Sequence, residues 1–145
     1  MPIKENDAHP LLLDTHIWIW LIEGDSRLEK SKALSKIEEA AGRDSLWVSI
    51  ISIWELGMLV AKERIAFEME TNDWVKRALG APGLSLASLN PHIALASSNL
   101  PGSFEGDPVD RMLIATARHC NATLVTRDKS ILRYAKAGFV GAMKA

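Results

Sequence analysis

The chain contains a single cysteine, Cys120, so it cannot form an intrachain disulfide. One thiol in 145 residues agrees with a reducing compartment. No stretch reaches the roughly 18–20 apolar residues that a membrane span needs, and the most apolar segment, LLLDTHIWIWLI, is interrupted by Asp14 and His16. The first ten residues are polar and lack the apolar part of a signal peptide. We therefore expect a soluble, cytoplasmic protein without a membrane partner.

The sequence also lacks a strong charge of either sign, because its formal net charge is −1. That value gives no global argument for a nucleic-acid partner. The distribution is uneven: residues 107–145 contain seven lysines and arginines against three acids, a balance of +4. A basic C-terminal third can attract phosphate groups locally, although scattered surface lysines would explain this composition equally well.

The composition is typical of a folded domain. With 48% apolar and 24% charged residues the chain is close to the average of soluble proteins, and it contains no internal repeat. Its length suffices for one hydrophobic core. We expect a single domain over residues 1–145, in which residues 1–10 form a short polar extension.

Short apolar segments alternate with segments of helical periodicity. Strands are predicted at 11–13, 46–48, 84–89, 122–126 and 138–141. Helices are predicted at 15–24, 26–41, 49–62 (with a start at either Ser49 or Ser52), 71–79, 90–98, 108–119 and 129–136. Alternating strands and helices indicate an α/β sandwich with a mostly parallel sheet. In such sheets ligands bind beyond the carboxyl ends of the strands.

Four acids stand at predicted strand exits or near helix starts. Asp14 ends the first strand, and Glu55 lies early in the helix after the second strand. Asp110 lies in the first turn of a later helix, and Asp128 follows the fourth strand. Converging carboxylates repel one another, and oxygen ligands without paired His or Cys favour Mg²⁺ or Mn²⁺ as the ion that removes the repulsion. Such an ion activates water for attack on a phosphodiester.

Each acid also has a purely structural interpretation. Ser52-x-x-Glu55 fits a capping box, in which Glu55 only reaches back to the helix N-terminus. The remaining acids fit N-caps or first-turn positions that the helix dipole favours: Asp14, Asp107, Asp110 and Asp128. Their convergence on one predicted sheet end favours the metal site.

Four segments occur in a familiar order and spacing: LLLDTHIWIW, VSIISIWELGMLVAKERI, GDPVDRMLIATA and ATLVTRD. In these segments the chain resembles the PIN-domain family, and more narrowly the VapC-type toxins of bacterial toxin–antitoxin pairs. The resemblance covers about residues 11–135. It implies a three-layer α/β/α sandwich and a Mg²⁺- or Mn²⁺-dependent endoribonuclease that a cognate antitoxin silences. It also implies these catalytic, metal-binding acids, with Asp107 as a cap: Asp14, Glu55, Asp110 and Asp128.

Cations stand beside these acids in the sequence. Arg111 neighbours Asp110, while Arg127 and Lys129 flank Asp128. We expect them to rim the site, as suits the polyanionic backbone of RNA. For Arg111, contact with the cleaved region of RNA and an ion pair with a neighbouring acid are both open.

Three further polar residues are candidates for roles beside the acids. Thr15 and Thr126 are expected to hydrogen-bond the carboxylates or a water molecule. His16, beside a carboxylate, could be a general base, although metal-dependent hydrolysis does not need one.

Five tryptophans are many for this length. Trp18 and Trp20 lie about 200° apart on one helix and cannot both face inward. An exposed tryptophan suits a protein interface. Together with the resemblance, this predicts an accessible apolar patch near the first or third helix, an antitoxin bound in a hydrophobic groove, and a homodimer.

Two other functions stay open. The site also fits a nuclease or phosphoesterase that acts on DNA or another substrate. The fold also fits a non-catalytic interaction module, which the loss of an acid would favour, but no acid of the pattern is missing.

Overall fold

The computed structural model describes residues 9–145, so most of the predicted extension at 1–10 lies outside the described residues. The elements follow in this order: β1 (Leu11–Leu13), α1 (Thr15–Glu23), α2 (Ser26–Glu29), α3 (Ala33–Gly42), β2 (Leu46–Ser49), α4 (Ile50–Ala61), α5 (Thr71–Leu79), β3 (Leu84–Ala87), α6 (Pro91–Ser97), α7 (Pro108–Cys120), β4 (Thr123–Thr126), α8 (Lys129–Lys136) and β5 (Gly141–Lys144). The strands form one parallel sheet in the order β3-β2-β1-β4-β5. Over this range no helix is long and apolar enough to cross a membrane.

β1 lies at the centre of the sheet because its three leucines leave no polar face. It pairs with β2 on one side and β4 on the other. Successive side chains of a strand point to opposite faces. Leu11 and Leu13 accordingly join the core formed with α1 to α5, whereas Leu12 joins the core formed with α7 and α8. Two cores on opposite sheet faces confirm the predicted three-layer α/β/α sandwich.

The prediction of one helix over 26–41 is wrong, because residues 30–32 separate α2 from α3. The Ser31 side chain accepts a hydrogen bond from the Ala33 backbone N–H at 3.0 Å, and such local bonds compete with helix continuation. Leu28 and Ala33 are both 2% exposed. In a continuous helix they would lie about 140° apart, so the break lets both reach the core.

Two strands differ from the predicted bounds by two residues or more, while β2 and β4 differ by one residue each. β3 ends at Ala87 and not at residue 89, and the last strand is Gly141–Lys144 and not 138–141. Gly138 has φ +96°, and the Phe139 N–H donates to the Tyr134 carbonyl, so this segment closes α8 before β5 begins.

Gly83 allows the turn before β3 to pack against α3. Its φ is +79°, and a Cβ there would meet the Ala41 carbonyl oxygen at 2.0 Å. We expect Gly83→Ala to lower the free energy of unfolding by about 2–4 kcal/mol, because both the backbone conformation and the backbone contact oppose a side chain. Urea unfolding measures the change.

Gly57→Ala is the control for that substitution. Gly57 lies on the exposed side of α4, and a Cβ there would meet nothing within 4 Å. Alanine at this helical position should leave stability unchanged or raise it by about 0.5–1 kcal/mol. Equal stability of the two variants would contradict the assigned packing.

Candidate active site

A cavity of about 330 Å³ lies beyond the carboxyl ends of β1 and β4, where the order of the strands along the chain switches. The starts of α1, α7 and α8 and the second turn of α4 line it. The structure brings all four predicted acids into this cavity together with Asp107, and we call it the acidic pocket; its carboxylates are Asp14, Glu55, Asp107, Asp110 and Asp128.

Asp14 is held by hydrogen bonds to both of its carboxylate oxygens. Oδ1 accepts from the Thr15 backbone N–H at 2.7 Å, which caps α1, and Oδ2 accepts from the Thr126 hydroxyl at 2.6 Å. The same hydroxyl oxygen accepts a bond from the Asp128 N–H at 2.9 Å. One buried threonine therefore fixes Asp14 relative to the start of α8, and the predicted bond from Thr126 to a carboxylate is present.

Glu55 does not belong to a capping box. The N-cap of α4 is Ser49, whose side chain accepts from a backbone N–H two residues later. Ser52 is fully buried and accepts a hydrogen bond from the Thr15 hydroxyl at 2.8 Å. The capping-box interpretation is therefore wrong. The Thr15 side chain also forms a hydrogen bond with Glu55 that lowers the pKa of this carboxyl against the effect of burial, in line with the predicted bond between Thr15 and a carboxylate.

Asp107 and Asp128 are N-caps that also line the acidic pocket. Asp107 Oδ1 accepts from the Asp110 N–H at 2.8 Å, and Asp128 Oδ1 accepts from the Ile131 N–H at 2.9 Å. Each cap uses one carboxylate oxygen, which leaves the other for a ligand. Sequence reasoning gave Asp107 a capping role alone. The signal it missed is the i, i+3 spacing that puts Asp107 and Asp110 on one side of the helix start.

Burial and repulsion from neighbouring carboxylates oppose the ionisation of Asp14, Glu55 and Asp110. Burial raises the pKa of Asp14 and of Glu55 above the ordinary values. For Asp110, burial first and then repulsion, chiefly from Asp107 and Asp128, raise the pKa to about 7. The pocket therefore concentrates negative charge that the hydrogen bonds of the fold relieve only in part.

No cation of the described residues neutralises this charge. Among residues 9–145, the ion pair with charged atoms within 4.0 Å of each other is Arg27 with Asp25, and Asp25 does not line the pocket. Across residues 9–145, no three acid, His or Cys side chains are already gathered closely enough to hold one metal ion. The donors of the pocket are hard oxygens, which suit a divalent cation, and such an ion would draw the separated carboxylates together.

Arg111 does not form the ion pair that the sequence left open, and its contact with RNA stays a prediction. Its guanidinium donates from Nε to the Ser97 carbonyl at 2.9 Å and from Nη1 to the Phe104 carbonyl at 2.7 Å. These bonds hold the loop before α7 and leave no ion pair with an acid. Of the three predicted cations, Lys129 is exposed outside the pocket lining, and Arg127 alone lines the pocket.

The aromatic side chains divide as the helical spacing predicts. Trp18 is fully buried, while Trp20 is partly exposed and lines the acidic pocket beside the exposed His16. On α4, Trp54 is 57% exposed and Ile50 is 42% exposed. This confirms the predicted accessible apolar patch on the third predicted helix.

Comparison with known proteins identifies the family. The PIN domain family matches residues 11–137. The chain is also 36% identical over 121 residues to Ribonuclease VapC22 of Mycobacterium tuberculosis, in an alignment that covers 83% of this chain and 88% of that protein. The chain therefore belongs to the PIN domain family.

Solved structures share the fold at lower identity. VapBC2 from Rickettsia felis, bound to a DNA fragment from its promoter, has a TM-score of 0.67 at 18% identity, covering 92% of this chain and 97% of that one. FitAcB from Neisseria gonorrhoeae has a TM-score of 0.61 at 20% identity, covering 92% and 96%. The likeness confirms a five-strand parallel sheet with flanking helices.

Asp110→Asn should stabilise the metal-free protein at alkaline pH. Because its folded pKa is raised, Asp110 costs stability progressively as the pH rises from 3.8, its ordinary value, to about 7. We expect the variant to gain about 1–2 kcal/mol near pH 8 in EDTA, after allowance for solvent screening, and nothing below about pH 3.5. Urea unfolding at several pH values measures the difference.

Glu39→Gln is the matched control, because it removes one exposed negative charge from α3, outside the lining of the acidic pocket. Its stability should follow that of the wild type at every pH. A gain for Asp110→Asn that persists at the lowest pH, or no gain at any pH, would contradict the assigned repulsion.

Proposed function

We propose that this chain is a divalent-metal-dependent endoribonuclease and the toxin of a VapBC-type toxin–antitoxin pair. The observation on which the proposal rests is a pocket of five carboxylates, none with an ion-pair partner among residues 9–145, at the carboxyl end of a parallel sheet. Membership of the PIN domain family and the likeness to a protein named as a ribonuclease support RNA as the substrate.

Four acids hold the ion in this proposal, with Asp107 as a further candidate ligand: Asp14, Glu55, Asp110 and Asp128. Mg²⁺ and Mn²⁺ both suit carboxylate oxygens. When bound, the ion activates a water molecule and stabilises negative charge on phosphoryl oxygens.

The residues of the chain prepare the pocket for this charge. Thr126 orients Asp14 through its hydroxyl. The N-termini of α1, α7 and α8 bring partial positive charge to the acids that cap them. Because ligand carboxyls must be ionised, Asp110 gives up its proton when the cation binds. Occupation of the pocket is therefore expected to weaken as the pH falls below about 7.

The wild-type protein should cut bacterial RNA into discrete fragments with Mn²⁺ or Mg²⁺ and not with EDTA. Asp14→Asn and Asp110→Asn should each lower the cleavage rate at least about 100-fold, because each removes a charged ligand. Denaturing gels give the rates, and mapping of the fragment ends should show 5′ phosphates.

Glu39→Gln, purified in the same way, controls for contaminating ribonucleases and should cleave like the wild type. Equal degradation by all of these proteins would identify contamination. Parallel assays with single-stranded DNA and a generic phosphoester test the substrate class. Faster cleavage of the DNA or of the phosphoester would make that compound, and not RNA, the proposed substrate. Inactivity of metal-loaded, antitoxin-free protein towards RNA would refute the proposed ribonuclease function.

The antitoxin is the proposed protein partner, because proteins of similar fold form VapBC complexes. An apolar groove of about 290 Å³ lies between α4 and the start of α7 and includes Trp54 and Met58. Glu55 and Asp107 line both this groove and the acidic pocket. An occupant of the groove would therefore lie against two of the acids. A homodimer is also part of the proposal, and sedimentation of the purified chain tests it.

Trp54→Ser should weaken antitoxin binding at least about 10-fold, because exposed tryptophans dominate many interfaces. Titration of the purified toxin with the product of the adjacent small reading frame measures the affinity. Leu95→Ser is the control, since Leu95 is 74% exposed on α6 and does not line this groove. Equal affinities of the two variants would exclude the groove as the antitoxin site.

A further inference from the structure

Arg127 is the only lysine or arginine that lines the acidic pocket in the described part of the chain, and three contacts hold its guanidinium in place. Nε donates to the main-chain oxygen of Ala145, the last residue of the sequence, at 2.9 Å, and Nη2 donates to the Arg27 carbonyl at 3.0 Å. The guanidinium lies over the Trp20 ring, 4.9 Å from its centroid. The side chain is therefore fixed before any ligand arrives, so ligand binding costs little entropy for ordering the Arg127 side chain.

Arg127 forms no ion pair with an Asp or Glu within 4.0 Å among residues 9–145, unlike its neighbour Arg27. Arg27 also lies over Trp20, at 4.4 Å from the centroid, but it forms two hydrogen bonds with Asp25 at 3.0 and 2.8 Å. Those bonds lower the pKa of Asp25 to about 2. Arg127 has no Asp or Glu carboxylate within 4.0 Å in the described residues, although five such carboxylates line the same pocket.

The two backbone carbonyls explain this separation, because they hold the guanidinium away from the acids. Arg127 therefore does not occupy the place of a cation among the carboxylates. Its Nη1 donates to no acceptor within residues 9–145, and the residue is exposed to solvent. An anion with several spaced negative charges could contact the ion at one end and Arg127 at the other. The backbone of a single-stranded nucleic acid has this spacing of charges.

We propose that Arg127, held by Trp20 and by the carbonyls of Arg27 and Ala145, binds an RNA phosphate adjacent to the one that is cleaved. This inference rests on the proposed ribonuclease function. The planar guanidinium offers paired donors that match two phosphate oxygens. Such a contact is independent of base identity and fixes the register of the strand over the carboxylates.

Binding is tested first, with an intact RNA that contains the mapped cleavage site. Asp110→Asn keeps the RNA uncut, and Arg127→Gln is added to it; Mn²⁺ is present throughout. Arg77→Gln in the same background is the control, since Arg77 is exposed on α5, outside the acidic pocket. Fluorescence anisotropy at several salt concentrations gives the dissociation constant and its salt dependence.

We expect Arg127→Gln to weaken binding about 10-fold and to reduce the slope of log affinity against log salt by about 0.7, the value of one phosphate contact on a single strand. Arg77→Gln should change neither. The slope does not depend on the fraction of folded protein, so it separates lost contact from lost stability. An affinity and slope equal to those of the Arg77 variant would overturn the inference.

The substrate offers a second test that avoids differences in folding. Each phosphate of the RNA is replaced in turn by a neutral methylphosphonate. Protein with Arg127 intact should bind the RNA more weakly when a methylphosphonate replaces a phosphate next to the cleaved one. The Arg127→Gln protein should bind equally well with and without the replacement at that position, and only there. Identical sensitivity of both proteins at every position would overturn the inference.

Failure of the inference can be distinguished from failure of the proposed function. RNA cleavage by the wild type together with equal behaviour of the Arg127 and Arg77 variants would reject the phosphate contact alone. An absence of RNA binding and cleavage by protein with Arg127 intact would reject both proposals.

Discussion

Five carboxylates converge at one edge of the sheet, and the fold must hold them there against their mutual repulsion. Three of them, Asp14, Asp107 and Asp128, are the N-caps of α1, α7 and α8. Each accepts backbone N–H bonds at the positive end of a helix, which offsets part of the repulsion. The caps also fix where the carboxylates point, so the start of three helices and the geometry of the pocket depend on the same hydrogen bonds. Capping is thus the means by which the acids are positioned and not an alternative to their function.

The strands and helix starts that carry the site could be predicted from the sequence because their signals are local. Three leucines followed by Asp14 define a buried strand and its exit, and Asp107-Pro108 defines a helix start. Parallel strands then require that residues after β1 and β4 share one edge of the sheet. These rules need no knowledge of side-chain contacts, and they bring the four predicted acids to one cavity.

The details that escaped prediction depend on contacts between distant parts of the chain. The hydroxyl of Thr15 binds Ser52, 37 residues away, and Ser49 rather than this serine caps α4. Thr126 joins Asp14 to the start of α8 across 112 residues of sequence. The break between α2 and α3 follows from which side chains reach the core. No periodicity or spacing rule encodes such partners, so tertiary packing decides them.

The arginines show why a count of charges is a poor guide to a binding surface. The basic balance of residues 107–145 includes Arg111, whose donors hold the loop before α7, and Arg118, which donates to the Phe139 carbonyl. Arg111 donates from Nε and Nη1 and Arg118 from Nη1, so both guanidiniums help to hold the fold around the pocket. A guanidinium attracts phosphate strongly only where it retains free donors. Among the described lysines and arginines only Arg127 lines the acidic pocket, so the position of a cation relative to the acids, and not the number of cations, determines how a strand can lie across the site.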